Sequence, residues 1–178
     1  MSIFLTCIAL FSQAEANAAS PRKTAFEPWL EFLKKNSIRS LDGSRLKVGL
    51  APKTSRCRHL EHTFMAEIAS TGESRSRGLS NRTELLQDQA MLFTFDPAQH
   101  VSFWMKDTLI ALEILFFDAK GELVELYQMP VEANPKYPTR NYASNQPIVA
   151  ALEVLPKTVK KVPDQTRILC VEPPNSTR

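Results

Sequence analysis

The chain has 178 residues, 43% of them apolar and 23% charged, with 22 basic and 19 acidic side chains. That describes one ordinary globular domain plus extra segments, long enough to bury a core. A formal charge of +3, from Lys and Arg scattered along the chain, excludes the dense basic stripe of a nucleic-acid binder.

Residues 1–18 read as an export signal. Ile3 to Phe11 is an apolar run, and Ala16-Asn17-Ala18 fits a small-x-small cleavage site, although no Lys or Arg precedes the run. A run of nine residues, one of them Thr6, is too short to span a bilayer, which takes about 20. No later segment approaches that length, so the mature chain is expected to have no transmembrane segment and to be periplasmic or secreted.

Residues 19–62 read as an N-terminal extension. Within it, Ala25 to Asn36 places Phe26, Trp29, Leu30 and Leu33 at helical spacing, with Pro28 in the first turn. Such a short amphipathic helix either caps the domain core or docks on a partner or a membrane surface. Leu46 to Leu50 is a candidate strand.

Residues 63–172 read as a β-rich domain. Strands are expected at Thr63–Ser70, Ala90–Phe95, Val101–Lys106, Leu112–Phe117, Glu122–Met129, Ile148–Leu155 and Gln165–Val171. Gly72 to Arg82 is charged and Ser-rich, with room for one helical turn. Asp96-Pro97 signals a turn between the second and third of these strands. Leu112 to Phe117 is apolar on both faces, as a central strand should be. Ala119-Lys120-Gly121 makes a hairpin turn, and Pro130 to Pro147 a long surface loop. Residues 173–178 read as a disordered tail.

Several strings carry a family resemblance. They are Gly78-Leu79-Ser80-Asn81-Arg82, Ala90-Met91-Leu92-Phe93-Thr94-Phe95, Phe103-Trp104-Met105-Lys106-Asp107-Thr108, Ala111-Leu112-Glu113, Phe116 to Gly121, and Leu152-Glu153. In order and spacing, from roughly Thr63 to Leu155, the chain resembles the domain of unknown function 192 family, small bacterial domains that are often exported. The family pattern has Met, Gly, Asn, Pro and Asp where this chain has Ser80, Ala90, Asp107, Ala111 and Glu113. An Asn both donates and accepts, whereas an ionised Asp only accepts, so a role needing an amide at Asp107 is in question. The resemblance implies a mostly β (α+β), barrel-like fold with one or two short helices, and an unassigned activity.

The strongest place for chemistry is the turn from Trp104 to Thr108. Period-two alternation puts Phe103 and Met105 on one face, Trp104 and Lys106 on the other. A Trp face beside an ammonium can stack on a ring while the Lys holds an anion. The plainer alternative is that Trp104 closes one end of a barrel and Lys106 pairs with Asp107 or Glu113. Arg82 could grip a carboxylate or phosphate in bidentate fashion, or pair with Asp118 or Glu113 to pin a loop. Asp118 most simply hydrogen-bonds the hairpin turn.

Cys57-Arg58-His59-Leu60-Glu61-His62 brings a thiol and two imidazoles together, but no fourth metal ligand is evident, and an exposed polar turn is the simpler reading. No metal or other cofactor is expected. Signal cleavage would leave Cys57 and Cys170, an even count that permits a disulfide in an oxidising compartment, the alternative being two separate buried thiols. Gly-x-Ser-x-Gly, His-Glu-x-x-His, Cys-x-x-Cys and a phosphate loop are all absent.

The sequence therefore points to an exported, non-enzymatic binding domain. Its candidate site residues are Trp104, Lys106, Asp107, Arg82 and Glu113, and its partner a small ligand or an envelope protein, not nucleic acid. Two alternatives stand beside it. One is an envelope hydrolase using Lys106, Asp107 and Glu113 in one cleft. The other is a structural subunit docking through the helix around Trp29.

Overall fold

A computed structural model describes residues 26–159 and 167–173. The export signal expected at 1–18, the residues up to 25, and the tail from 174 lie outside the described residues. In chain order the elements are β1 (Glu27–Pro28), α1 (Trp29–Lys35), β2 (Arg45–Pro52), β3 (His62–Ala69), α2 (Gly72–Arg77), β4 (Gln89–Gln99), β5 (Ser102–Phe103), β6 (Leu112–Phe117), β7 (Leu123–Met129), β8 (Tyr142–Ala143), β9 (Ile148–Val154) and β10 (Arg167–Val171). The fold is mostly β with two short α-helices among the described residues. Eight strands make one sheet in the order β1-β10-β2-β3-β4-β9-β6-β7, and β5 pairs with β8 separately.

All neighbours are antiparallel except β3 and β4, which run parallel because α2 carries the chain across between them. The start of α2 is fixed by Thr71, whose hydroxyl accepts from the Ser74 N–H at 3.2 Å while its own N–H donates to the Ser74 hydroxyl at 3.1 Å. Asp42, in the turn just before β2, braces this corner. Its Oδ1 accepts from the Ser70 N–H at 2.7 Å and the Ser74 hydroxyl at 2.6 Å. These bonds, the Ser74 hydroxyl first, hold the Asp42 carboxyl well below the usual carboxylate range.

The sheet is open, which corrects the barrel-like expectation. β10 has β2 on one side, and its other edge is divided. Pro28 and Glu27 of β1 take Cys170 and Val171. Among the described residues, a single bridge, Glu122 to Ile168, and the Leu169 N–H to Gly121 carbonyl bond reach the β6–β7 hairpin. The segment before β2 thus occupies the seam where closure would need a full ladder.

Strand alternation sorts the core into two layers on opposite faces. One holds Val48, Leu50, Phe64, Ile68, Leu92, Leu115, Phe117, Leu152 and Leu169, with Trp29 and Phe32 of α1 buried against them. The other holds Met91, Phe93, Phe95, Leu112, Ile114, Phe116 and Ala151, with Leu79, Met105 and Tyr142 packed on top. Both faces are apolar, so β4, β6 and β9 read as continuous hydrophobic runs.

Two expected elements differ. β4 does not turn at Asp96 but continues to Gln99 through a cis Asp96–Pro97 bond. Its register with β9 shifts between Thr94 and Gln99, and a proline with no N–H is tolerated at such an irregularity. The strand expected at Val101–Lys106 shrinks to β5, since its partner is the two-residue β8 from the long loop rather than β4. Cys57 and Cys170 are joined by a disulfide, with Cα atoms 5.8 Å apart, inside a small apolar group with Ala51 and Ile168.

Candidate functional site

The turn after β5 is held by backbone contacts on both flanks. The Asp107 carbonyl accepts from the Asn81 N–H at 2.7 Å, and the Asp107 N–H donates to the Pro135 carbonyl at 2.8 Å. The Ser80 hydroxyl donates to the Lys106 carbonyl at 3.1 Å, as does the Thr108 hydroxyl at 3.2 Å. Asp107 has φ +52°, a left-handed conformation that Asn and Asp tolerate better than most side chains. The same tolerance accounts for the Asn in the resembling pattern without any need for its amide.

Below the turn, the second core layer sets the side chains. Met105 is buried, and Phe103 packs edge-on against Phe93 with ring centroids 4.9 Å apart. Trp104, 54% exposed, and Lys106 remain at the surface. They line a cavity of about 310 Å³ together with Phe93, Phe95, Phe103, Thr108 and residues of α2 and the segment after it. That volume is at the lower end for small-molecule sites.

Three cations line the cavity: Arg75, Arg77 and Lys106. Arg75 is committed to the wall. Its Nη1 donates to the Ser70 carbonyl at 2.6 Å and the Thr94 carbonyl at 3.0 Å, and its guanidinium lies 5.2 Å from the Phe95 ring centroid. Arg77 has a long, exposed contact of 3.9 Å to Glu73, which contributes little. Lys106 makes no ion pair among the described residues.

Among the described residues, the one acid lining the cavity is Glu153. It lies on β9 between Met91 of β4 and Ile114 of β6, so alternation turns it into the second core layer. It is 5% exposed and makes no hydrogen bond or ion pair among the described residues. Burial pushes its carboxyl up to about 8, so at neutral pH it is mainly the protonated acid, a donor as well as an acceptor.

The model of the DUF192 family, described as an uncharacterized ACR, matches residues 54–163. The chain belongs to this family. A DUF192-like fold also recurs in solved structures. One, a Sinorhizobium meliloti protein put forward as a transcription regulator, is 26% identical with a TM-score of 0.62, over 73% of this chain and 95% of that one. Another, a Novosphingobium aromaticivorans protein of unknown function, is 23% identical with a TM-score of 0.58, over 70% of this chain and 84% of that one, and it speaks to the fold alone. No curated protein matches the chain.

Of the five residues singled out in this DUF192 sequence, Trp104 and Lys106 share the cavity. Asp107 sits beside them but is not among the lining residues, and its described bonds are through its backbone. Arg82 pairs with Glu67 at 2.6 Å, not with Asp118 or Glu113, and lies with it at a separate shallow hollow. Glu113 is buried on β6, where alternation places it with the first core layer, and Gln128 donates to it. The Lys106, Asp107 and Glu113 cleft required by the hydrolase alternative is therefore not assembled. Asp118 accepts from the Lys120 and Glu122 N–H groups at 2.9 Å each, as a turn residue does.

The Cys57–His62 string offers no ligand set, since Cys57 is disulfide-bonded and Glu61 pairs with Arg167. Sequence reasoning missed Glu153 and Arg75. The signal for Glu153 was present, a lone acid inside Ile148-Val149-Ala150-Ala151-Leu152-Glu153-Val154, a run otherwise apolar on both faces. An acid there needs a partner, a proton or a cavity.

Proposed function

We propose that this DUF192 protein is an exported, non-enzymatic binding domain whose ligand is a small anion with an apolar or ring-shaped body. The observation that carries the reading is the cavity of about 310 Å³ at which the exposed Trp104 meets Lys106, which has no ion pair among the described residues. The indole offers a flat apolar face, and Lys106 with Arg77 supplies a positive mouth. The inner wall of phenylalanine rings suits an apolar body.

Export is supported by the apolar run and small-x-small site in residues 1–18, and by the Cys57–Cys170 disulfide, which suits an oxidising compartment. No helix among the described residues is long and apolar enough to cross a membrane. A transcription regulator that acts by binding DNA, one form of the role put forward for the Sinorhizobium meliloti protein, needs a basic face. The scattered charge here, +3 in all, gives no dense stripe for one, and the basic groups at the site line a concavity.

A thermal-shift screen of the chain from Ala19 against envelope saccharides, acidic peptides and small carboxylates tests the reading. A ligand at 100 times its dissociation constant stabilises by about 2.7 kcal/mol, a shift of several degrees. The shift should vanish in Trp104→Ala and weaken in Lys106→Ala. A hit retained in full by both variants would place the site elsewhere.

A further inference from the structure

The proposed binding site leaves one group unexplained. Glu153 is nineteen-twentieths buried and lines the cavity; among the described residues it has no partner, and the other charged groups lining the cavity are basic. A buried carboxyl without a partner is costly in either protonation state, and least so when neutral. A ligand that engages it would remove that cost.

We propose that the cavity selects small anions carrying a second, neutral oxygen acceptor within an apolar body, such as acylated amino acids or acylated sugar acids, and that Glu153 reads that acceptor by donating a hydrogen bond from its carboxyl group. This rests on the binding reading above and deepens it. The anion sits at Lys106 and Arg77 at the mouth, the body lies along Trp104 and Phe103, and the carbonyl faces Glu153 in the interior. A ligand cation on Glu153 is disfavoured, because it would enter a cavity that already holds Arg75, Arg77 and Lys106. A ligand with an anion but no inner acceptor leaves Glu153 as it is and forfeits the contact.

The arrangement makes recognition proton-linked. The strand neighbours facing Glu153 are Met91 and Ile114, neither of which titrates. The charged groups sharing its cavity are Arg75 and Arg77 of α2 and Lys106 of the turn, all basic. Glu153 donates while it holds its proton and loses that capacity as pH rises through about 8.

The probes are O-acetyl-3-phenyllactate and 3-phenylpropionate, which share a ring and a carboxylate and differ in the acetyl ester, whose carbonyl accepts a hydrogen bond and which has no N–H to donate. Binding is followed by Trp104 fluorescence and calorimetry at pH 6.5 and pH 9.5. At pH 6.5 the acylated probe should bind about fivefold or more tightly, the gain typical of one added hydrogen bond. In the native protein that preference disappears at pH 9.5. In Glu153→Gln, whose amide donates at any pH, it persists at both. In Glu153→Leu it is absent at both while phenylpropionate still binds. Equal binding of the two probes at pH 6.5, or a preference in Glu153→Gln that still falls with pH, overturns the role of Glu153 and leaves the anion site standing. No binding of either probe at millimolar concentration overturns both.

Discussion

Gly121 and Trp29 are packed so closely that a Cβ on the glycine would lie 3.2 Å from the Trp29 Cβ. The contact joins the β6–β7 hairpin to the start of α1, across the gap where the sheet stays open. Gly121 also has φ +75°, accepts from the Leu169 N–H at 2.9 Å and donates to the Asp118 carbonyl at 2.8 Å. It therefore combines a left-handed backbone, a close approach and a hydrogen bond across the seam.

Gly121→Ala should accordingly destabilise the fold by about 1–3 kcal/mol, from strain at positive φ and displacement of Trp29. Urea unfolding followed by Trp29 emission measures it. A change below a few tenths of a kcal/mol would show that the seam is slack and that Trp29 moves freely away.

The fold class was legible because strand alternation and turn residues are local signals. Leu112 to Phe117 and Ile148 to Val154 announce central strands by their apolar content alone. Closure was not legible, because it depends on which distant segment takes the free edge of β10, and Pro28 and Glu27 carry no mark of that pairing. For the site, alternation put Trp104 and Lys106 on one face without saying which face is outward, and the structure leaves both exposed. It could not assign Glu113, since a strand buried on both faces gives no clue to which face opens on a cavity. That distinction separates Glu113 from Glu153, two acids in neighbouring strands that point to opposite layers.

Glu153 should also leave a signature in the stability profile. Its folded value of about 8 lies above the unfolded value near 4.5. Between these, the unfolded chain has released a proton that the folded chain retains, so stability falls as pH rises from about 4.5 to 8 and levels off beyond. Glu153→Gln removes this term. The variant should match the native protein near pH 4 and exceed it by roughly 3–5 kcal/mol at pH 9. Parallel stability curves for the two proteins from pH 4 to 9 would mean that Glu153 ionises as freely as in the unfolded chain.

The disulfide spans 113 positions and ties the loop after β2 to β10. In the chain-entropy model a loop of this length contributes roughly 4–5 kcal/mol by restricting the unfolded state. A reducing agent, or replacing both Cys57 and Cys170 by Ser, should lower the melting temperature by roughly 10 °C or more at this chain length. An unchanged melting point under full reduction, verified by thiol titration, would remove the bridge from the account of stability.

Arg82 and Lys106 separate a structural cation from a binding one. Arg82 is partly buried against Glu67, joining the segment after α2 to β3, and it does not line the Trp104 cavity. Lys106 projects at the mouth of that cavity with no ion pair among the described residues. Arg82→Met should therefore lower stability by about 0.5–1 kcal/mol, the range for a half-exposed pair, and leave anion affinity within twofold of native. Lys106→Met should leave stability within about 0.5 kcal/mol and weaken the anion at least fivefold, with a shallower dependence on salt. The salt dependence is the sharper reading, because lost packing at the turn would weaken binding equally at all ionic strengths. If Arg82→Met proves the one that loses the ligand, the anion is held at the hollow between Arg82 and Glu67, and the Trp104 cavity is not its site.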